Sequence, residues 1–189
     1  GDIVNAQIQW SVDGVVVSTS GANLSSSLFS KHQTVTAQLT PSDVYSTGIP
    51  MITSVSIENS APTITGSSIL PTTATVSDTL LCEAQGWIDA DGDTAVYSYE
   101  WTVNGEVAGN TNSLDASARG VGDEIFCVVT PSDGEINGPS MTSNTVTILN
   151  TVPVIESAVL SNSSPYRADI LTVIVDSTDI NGDSLSESI

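Results

Sequence analysis

The residues with the most chemistry in this chain are carboxylates at alternate positions. Asp89-Ala90-Asp91-Gly92-Asp93 sets three of them at i, i+2 and i+4 around one glycine. A loop of this kind can wrap several oxygen ligands around one hard cation, and calcium prefers such ligands. Left bare, like charges this close repel one another. The other reading is a solvated turn, because Asp, Asn and Gly are ordinary turn residues. The pattern is not an EF-hand, which needs flanking helices and a distal glutamate. It recurs, however. Asp176, Asp179, Asn181 and Asp183 form a second set, and Asp2 and Asp43 remain of a third. Recurrence favours calcium over the solvated turn.

Other chemistries find little support. His32 is the sole histidine. It follows Lys31 in a polar stretch, and no Gly-x-Ser-x-Gly elbow supplies a nucleophile, so it reads as a surface residue. Paired carboxylates could in principle cleave glycosides, but nothing around the acidic loop would raise the pKa of one partner. The expectation is a non-enzymatic segment. Asn23-Leu24-Ser25 and Asn162-Ser163-Ser164 fit the glycosylation sequon, and the abundant Ser and Thr equally permit O-linked sugars. Trp87, just before the acidic loop, is expected to pack into a core.

The bulk numbers bound the partners. Three Lys and Arg stand against 22 Asp and Glu, a net charge of −19 over 189 residues. Nucleic acid is a poor partner, because phosphate binding needs clustered basic residues. An anionic membrane surface is excluded for the same reason. No apolar run of about 20 residues could span a bilayer, and no signal peptide is visible. The chain opens at Gly1 without a methionine, which reads as processing or as an excerpt of something longer. Two cysteines are too few for a disulfide-stapled miniprotein, and no Cys-x-x-Cys pair suggests zinc.

Internal repetition organises the whole sequence. Trp10-Ser11-Val12-Asp13-Gly14 matches Trp101-Thr102-Val103-Asn104-Gly105, 91 positions on. Thr40-Pro41-Ser42-Asp43 matches Thr130-Pro131-Ser132-Asp133 at 90. Asn59-Ser60-Ala61-Pro62 matches Asn150-Thr151-Val152-Pro153 at 91, and Asp89 to Asp93 matches Asp179 to Asp183 at 90. The units are therefore 1–60 (partial, from the third strand onward), 61–151 (complete) and 152–189 (partial, the first two strands). An excerpt from a long array is the expected reason for the two partial units. The competing account is head-to-tail strand donation, in which 152–189 of one copy completes 1–60 of another.

Within the complete unit, Leu80, Cys82 and Ala84 alternate with outward residues, as do Tyr97, Tyr99, Trp101 and Val103, and then Ile125, Cys127 and Val129. Period-2 patterns predict half-buried strands. Asp13-Gly14 and Asn104-Gly105 predict tight hairpins, because both residue types tolerate positive φ. Residues 113–122 are the weakest stretch, with room for a short helical turn. Short strands, regular turns and units of this size predict an all-β fold of tandem immunoglobulin-like β-sandwiches.

The order Cys82, Trp101, Cys127 resembles the immunoglobulin pattern. That resemblance implies a disulfide across the core and an oxidising compartment. The other reading is two buried thiols packing as small hydrophobes. The tyrosine that usually stands two positions before the second cysteine is replaced by Ile125, Ala37 stands where Cys127 would be, and Thr172 where Cys82 would be. More broadly, Asn-x-x-Pro at each unit start, Asp-Ala-Asp-Gly-Asp, Tyr-x-Trp-x-Val-Asn-Gly and Thr-Pro-Ser-Asp-Gly are similar to the PKD-type and cadherin-like tandem repeats of large prokaryotic surface proteins. Topology would bring Asp133 and the linker residue Glu58 toward Asp89, Asp91 and Asp93, so that calcium would stiffen the junction between units. The resemblance implies a structural segment of an extracellular or cell-surface stalk, sheath or filament. Its partners would be neighbouring repeats of the same protein in a homopolymer or long array. Two other roles stay open: an adhesin module recognising a glycan or host protein, and accessory domains of a secreted enzyme.

Overall fold

The computed structural model describes residues 5–183, and the regular secondary structure among them is almost entirely β. They fall into two compact units. The first comprises Gly1–Pro62, Ile88–Ala95 and Asp133–Asn137; the second comprises Thr63–Trp87, Val96–Ser132 and Gly138–Ile189. Asp2 lies outside the described residues.

The first unit is built on one antiparallel sheet. Its strands are β1 (Asn5–Val12), β2 (Val15–Ser18), β3 (Thr34–Ser42) and β4 (Met51–Ser56), in the spatial order β2-β1-β3-β4. The β1–β2 hairpin turns at Asp13 and Gly14, both at positive φ (49° and 81°), as their residue types predict. Asp13 also accepts from the backbone N–H of Thr34 at 2.8 Å, tying the turn to β3. A single 3₁₀ turn, Ser26–Leu28, is the one helical element described. Val12, Val35 and Ala37 are buried, while Ile8, Trp10 and Leu39 on the same strands remain half-buried.

The second unit holds β5 (Gly66–Leu70), β6 (Thr79–Gln85), β7 (Val96–Val103), β8 (Glu106–Gly109), β9 (Ser113–Asp115), β10 (Glu124–Ser132), β11 (Met141–Thr142) and β12 (Val146–Thr147). Strands β5-β6-β9 form one sheet, and β11-β10-β7-β8, with β12 also on β10, form the other. The two sheets enclose a core of Ile69, Leu80, Cys82, Trp101, Ile125, Cys127, Val129, Val146 and Ile148. This is the two-sheet immunoglobulin-like sandwich that the alternating pattern predicts. Residues 113–122, where a helical turn had room, instead begin with β9. The Trp101 indole N–H is satisfied by the Thr111 carbonyl at 2.8 Å, so the ring can be fully buried without an orphan donor. The last strand is split into β11 and β12. Between them Ser143 Oγ accepts from the Cys127 N–H (2.9 Å), and Asn144 Oδ1 accepts from the Ile69 N–H (2.8 Å). These two side chains supply backbone partners where the ladder is interrupted.

The second unit also contains a two-stranded ribbon, β13 (Val154–Leu160) and β14 (Val173–Thr178), whose residues are mostly exposed. Its register places Val173 opposite Leu160, as Cys82 lies opposite Ile69. Val173, rather than Thr172, thus stands in the place of Cys82.

Candidate cation site

The glycine at the centre of the acidic loop has φ 79°, a left-handed conformation in which a side chain would be strained. That turn folds the loop back on its own first carboxylate. Asp89 Oδ1 accepts from the backbone N–H groups of Asp91 (2.9 Å) and Asp93 (3.1 Å). Asp91 Oδ2 accepts from the N–H of Ser60 at 2.8 Å. One oxygen from each of Asp89, Asp91 and Asp93 lies within 4.8 Å of the others, close enough to share one metal ion. All these residues belong to the first compact unit.

The loop 133–137 joins them there. Asp133 Oδ1 caps its own turn by accepting from Glu135 and Ile136 N–H, each at 2.7 Å. Its other oxygen accepts from Asn59 Nδ2 at 2.6 Å. The Ile136 backbone bond is the largest cause, with Asn59, Glu135 N–H and the Lys31 charge adding to it, and the Asp133 carboxyl is held down at about 2. Lys31 Nζ reaches Asp93 at 2.6 Å and Glu135 at 2.5 Å, and His32 Nε2 lies 2.8 Å from Glu135. The hydrogen bond to Asp93, then that to Glu135, raises the Lys31 pKa. Glu135 is lowered, first by Lys31 and then by His32.

Two buried oxygens stand out against this well-paired background. Asp89 Oδ2 and Asn59 Oδ1 are sealed from solvent and have no hydrogen-bond partner among the described residues. Both are hard oxygen acceptors, and a buried acceptor of that kind needs a donor or a cation.

The linkage predicts how acid acts on this cluster. Asp133 and Glu135 are depressed, so their stabilisation is complete above the ordinary carboxylate range. It is lost as pH falls through their folded values. Lys31 is raised, so its contribution is complete at neutral pH and is lost only in strong alkali. The first unit should therefore hold steady from about pH 5 to 9 and weaken from about pH 4 down to 2. Its unfolding midpoint, followed by Trp10 fluorescence in a Trp87→Phe/Trp101→Phe background, checks this. A midpoint that rises on acidification would show that relief of negative charge outweighs the loss of these bonds.

The sequence-predicted residues fare differently. Asp89, Asp91, Asp93 and Asp133 are gathered in the first unit. Glu58 is exposed, and the linker contacts come from Asn59 and Ser60 instead. In the later set, Asn181 Oδ1 accepts from the Thr151 N–H (2.7 Å) and from the Thr151 hydroxyl, one repeat on from the Ser60–Asp91 bond. Asp179 accepts from the Asn181 N–H, as Asp89 does from Asp91. Asp176 sits on β14 and Asp183 is exposed. Among the described residues, this set does not reach the spacing of the first.

Cys82 and Cys127 form a disulfide with Cα atoms 6.4 Å apart, joining the two sheets of the second unit. Trp87 is partly buried against the core and meets Tyr97 edge-on at 5.8 Å. Asn23 is exposed. Asn162 is half-buried and engaged, accepting from Ser164 N–H at 2.9 Å and donating to Asp169 at 3.2 Å. Sequence reasoning passed over Lys31 as a partner of the acidic loop. Its signal was rarity, since with only three Lys and Arg in the chain the place of each carries weight. Neither a scan against protein-family models nor a search of curated proteins finds a match to the chain.

Proposed function

We infer that this chain is a non-enzymatic structural segment of an extracellular or cell-surface stalk, sheath or filament. Its repeats, similar to PKD-type and cadherin-like modules, assemble with further copies of themselves. Calcium at the acidic loop holds that loop to the linker before the complete repeat. The observation that carries the reading is the recurrence of one tethering bond, Ser60 N–H to Asp91 and Thr151 N–H to Asn181, at successive linkers. Each bond ties a linker residue to the acidic loop that follows it in the chain. The buried, unpartnered Asp89 Oδ2 and Asn59 Oδ1 support calcium as the ligand, with Asp91 and Asp93 completing an oxygen-rich set.

Calcium binding is expected to raise the melting midpoint. At a concentration 100-fold above Kd it adds about 2.7 kcal/mol of stability. Calorimetric titration and melting with calcium or EDTA measure it. Asp89→Asn should abolish the shift. Lys31→Met should strengthen it, because the ammonium group on Asp93 competes with the ion. An EDTA-insensitive midpoint in both the parent and Lys31→Met would leave the loop as a solvated turn. Electron microscopy of native assemblies with and without chelator tests the array itself, and isolated flexible threads in both conditions would overturn it.

A further inference from the structure

The complete repeat carries aromatic side chains that its neighbour does without. Tyr97 and Tyr99 lie on the face of β7 that also bears Trp101, and Trp87 follows the end of β6. All of these residues belong to the second unit. Strand pairing aligns them with the first unit. Trp101 opposite Cys127 corresponds to Trp10 opposite Ala37, so Tyr97 and Tyr99 take the places of Ala6 and Ile8. A strand with the same pairing is thus made with Ala and Ile, and the pairing alone does not call for two phenols. The three rings stand at the rim of the core, partly buried, with Trp87 meeting Tyr97 edge-on at 5.8 Å.

Their polar ends are open. Trp101 and Trp10 each donate the indole N–H to a backbone carbonyl, at 2.8 and 3.1 Å. Among the described residues, the Trp87 N–H and the Tyr97 and Tyr99 hydroxyls have no hydrogen-bond partner. Rings placed in this way are apolar on one side and wet on the other. Burial first, then Tyr97 and Glu83 nearby, pushes the Tyr99 hydroxyl up, so it remains a donor at neutral pH. The backbone beside the rings is open as well. β10 pairs with β7 from Val96 to Val103, whereas β8 pairs with it only at Trp101–Val103. Among the described residues, no strand lies along the other edge of β7 from Val96 to Glu100. At roughly 3.3 Å per residue, that edge is roughly 16 Å long.

We propose that Trp87, Tyr97 and Tyr99, with the open edge of β7 beside them, bind an uncharged polysaccharide. A sugar ring presents a face of C–H groups and a rim of hydroxyls. The aromatic faces take the first, and the indole N–H, the phenols and the free backbone groups take the second. The length of the edge gives room for several sugar units. An anionic glycan is disfavoured, because Glu83 and Glu100 lie on β6 and β7 while Lys31, Arg119 and Arg167 all lie on other segments. A protein strand laid along the same edge would use its backbone groups but leave the indole and phenol groups idle. The site needs neither calcium nor further copies of the chain, so it goes beyond the structural reading and does not depend on it.

Native electrophoresis of the 189-residue chain through gels carrying pullulan, hydroxyethyl cellulose, galactomannan or laminarin tests this. A chain of net charge −19 runs fast unless the matrix holds it. At least one of these uncharged polymers should retard it, and alginate, which is anionic, should not. Calorimetric titration with an oligosaccharide of the retarding polymer then compares variants. Tyr97→Ala/Tyr99→Ile installs the residues of the first unit, should stay folded by circular dichroism and should weaken binding at least about tenfold. Tyr97→Phe/Tyr99→Phe keeps the packing, removes only the hydroxyls and should weaken binding about threefold. Equal mobility in every gel, retention by alginate alone, or an affinity that both variants leave unchanged overturns the proposal. Self-association without retention by any polymer would assign the edge to a protein strand and overturn it equally.

Discussion

Replacing the disulfide with Cys82→Val/Cys127→Ala lowers the stability of the second unit by about 4 kcal/mol. The bond links residues 45 apart, and closing a loop of that length removes about this much conformational freedom from the unfolded chain on the chain-entropy account. The substitution follows the chain's own neighbouring repeats, where Ala37 and Val173 occupy these places, so packing loss should be small. For a unit of this size the melting midpoint should fall by about 15–30 °C. Calorimetry resolves the transition of the second unit from that of the first, which should not move. Both cysteines are buried, so reductant alone should act slowly on the native protein and quickly once denaturant opens it. A loss below about 1 kcal/mol would mean that the unfolded chain is compact enough for the cross-link to constrain little.

The second large effect separates the two equivalent tryptophans. Trp101→Ala should cost about 3–5 kcal/mol, because a fully buried ring leaves a cavity and its hydrogen bond to Thr111 is lost. Trp10→Ala should cost about 1–2 kcal/mol, since the Trp10 ring is half-buried and less apolar area is transferred. Urea denaturation of each variant measures the difference. Equal costs at low protein concentration would show that Trp10 is as well covered as Trp101.

How far the sequence could be read differs from element to element. The strands of the complete repeat were legible because burial on one face writes a period of two into Leu80, Cys82 and Ala84, and again into Ile125, Cys127 and Val129. The hairpin at Asp13-Gly14 was legible because few residue pairs tolerate positive φ. The bond across Cys82 and Cys127 rested on a resemblance, and the opposed positions of the two sheets make it geometrically direct. The acidic loop was visible as a pattern, but its neighbours were not. Lys31 lies 62 residues from Asp93, and no local rule relates them.

Chain order alone dictates alternation, turn sites, charge balance and the repeating plan, because each of these is a property of a short segment meeting water. Which carboxylates share a cluster, why Asn59 rather than Glu58 reaches it, and why Val173 replaces Cys82 are settled by folding. Those contacts join segments far apart along the backbone, and a one-residue difference in strand pairing moves a side chain to the opposite face.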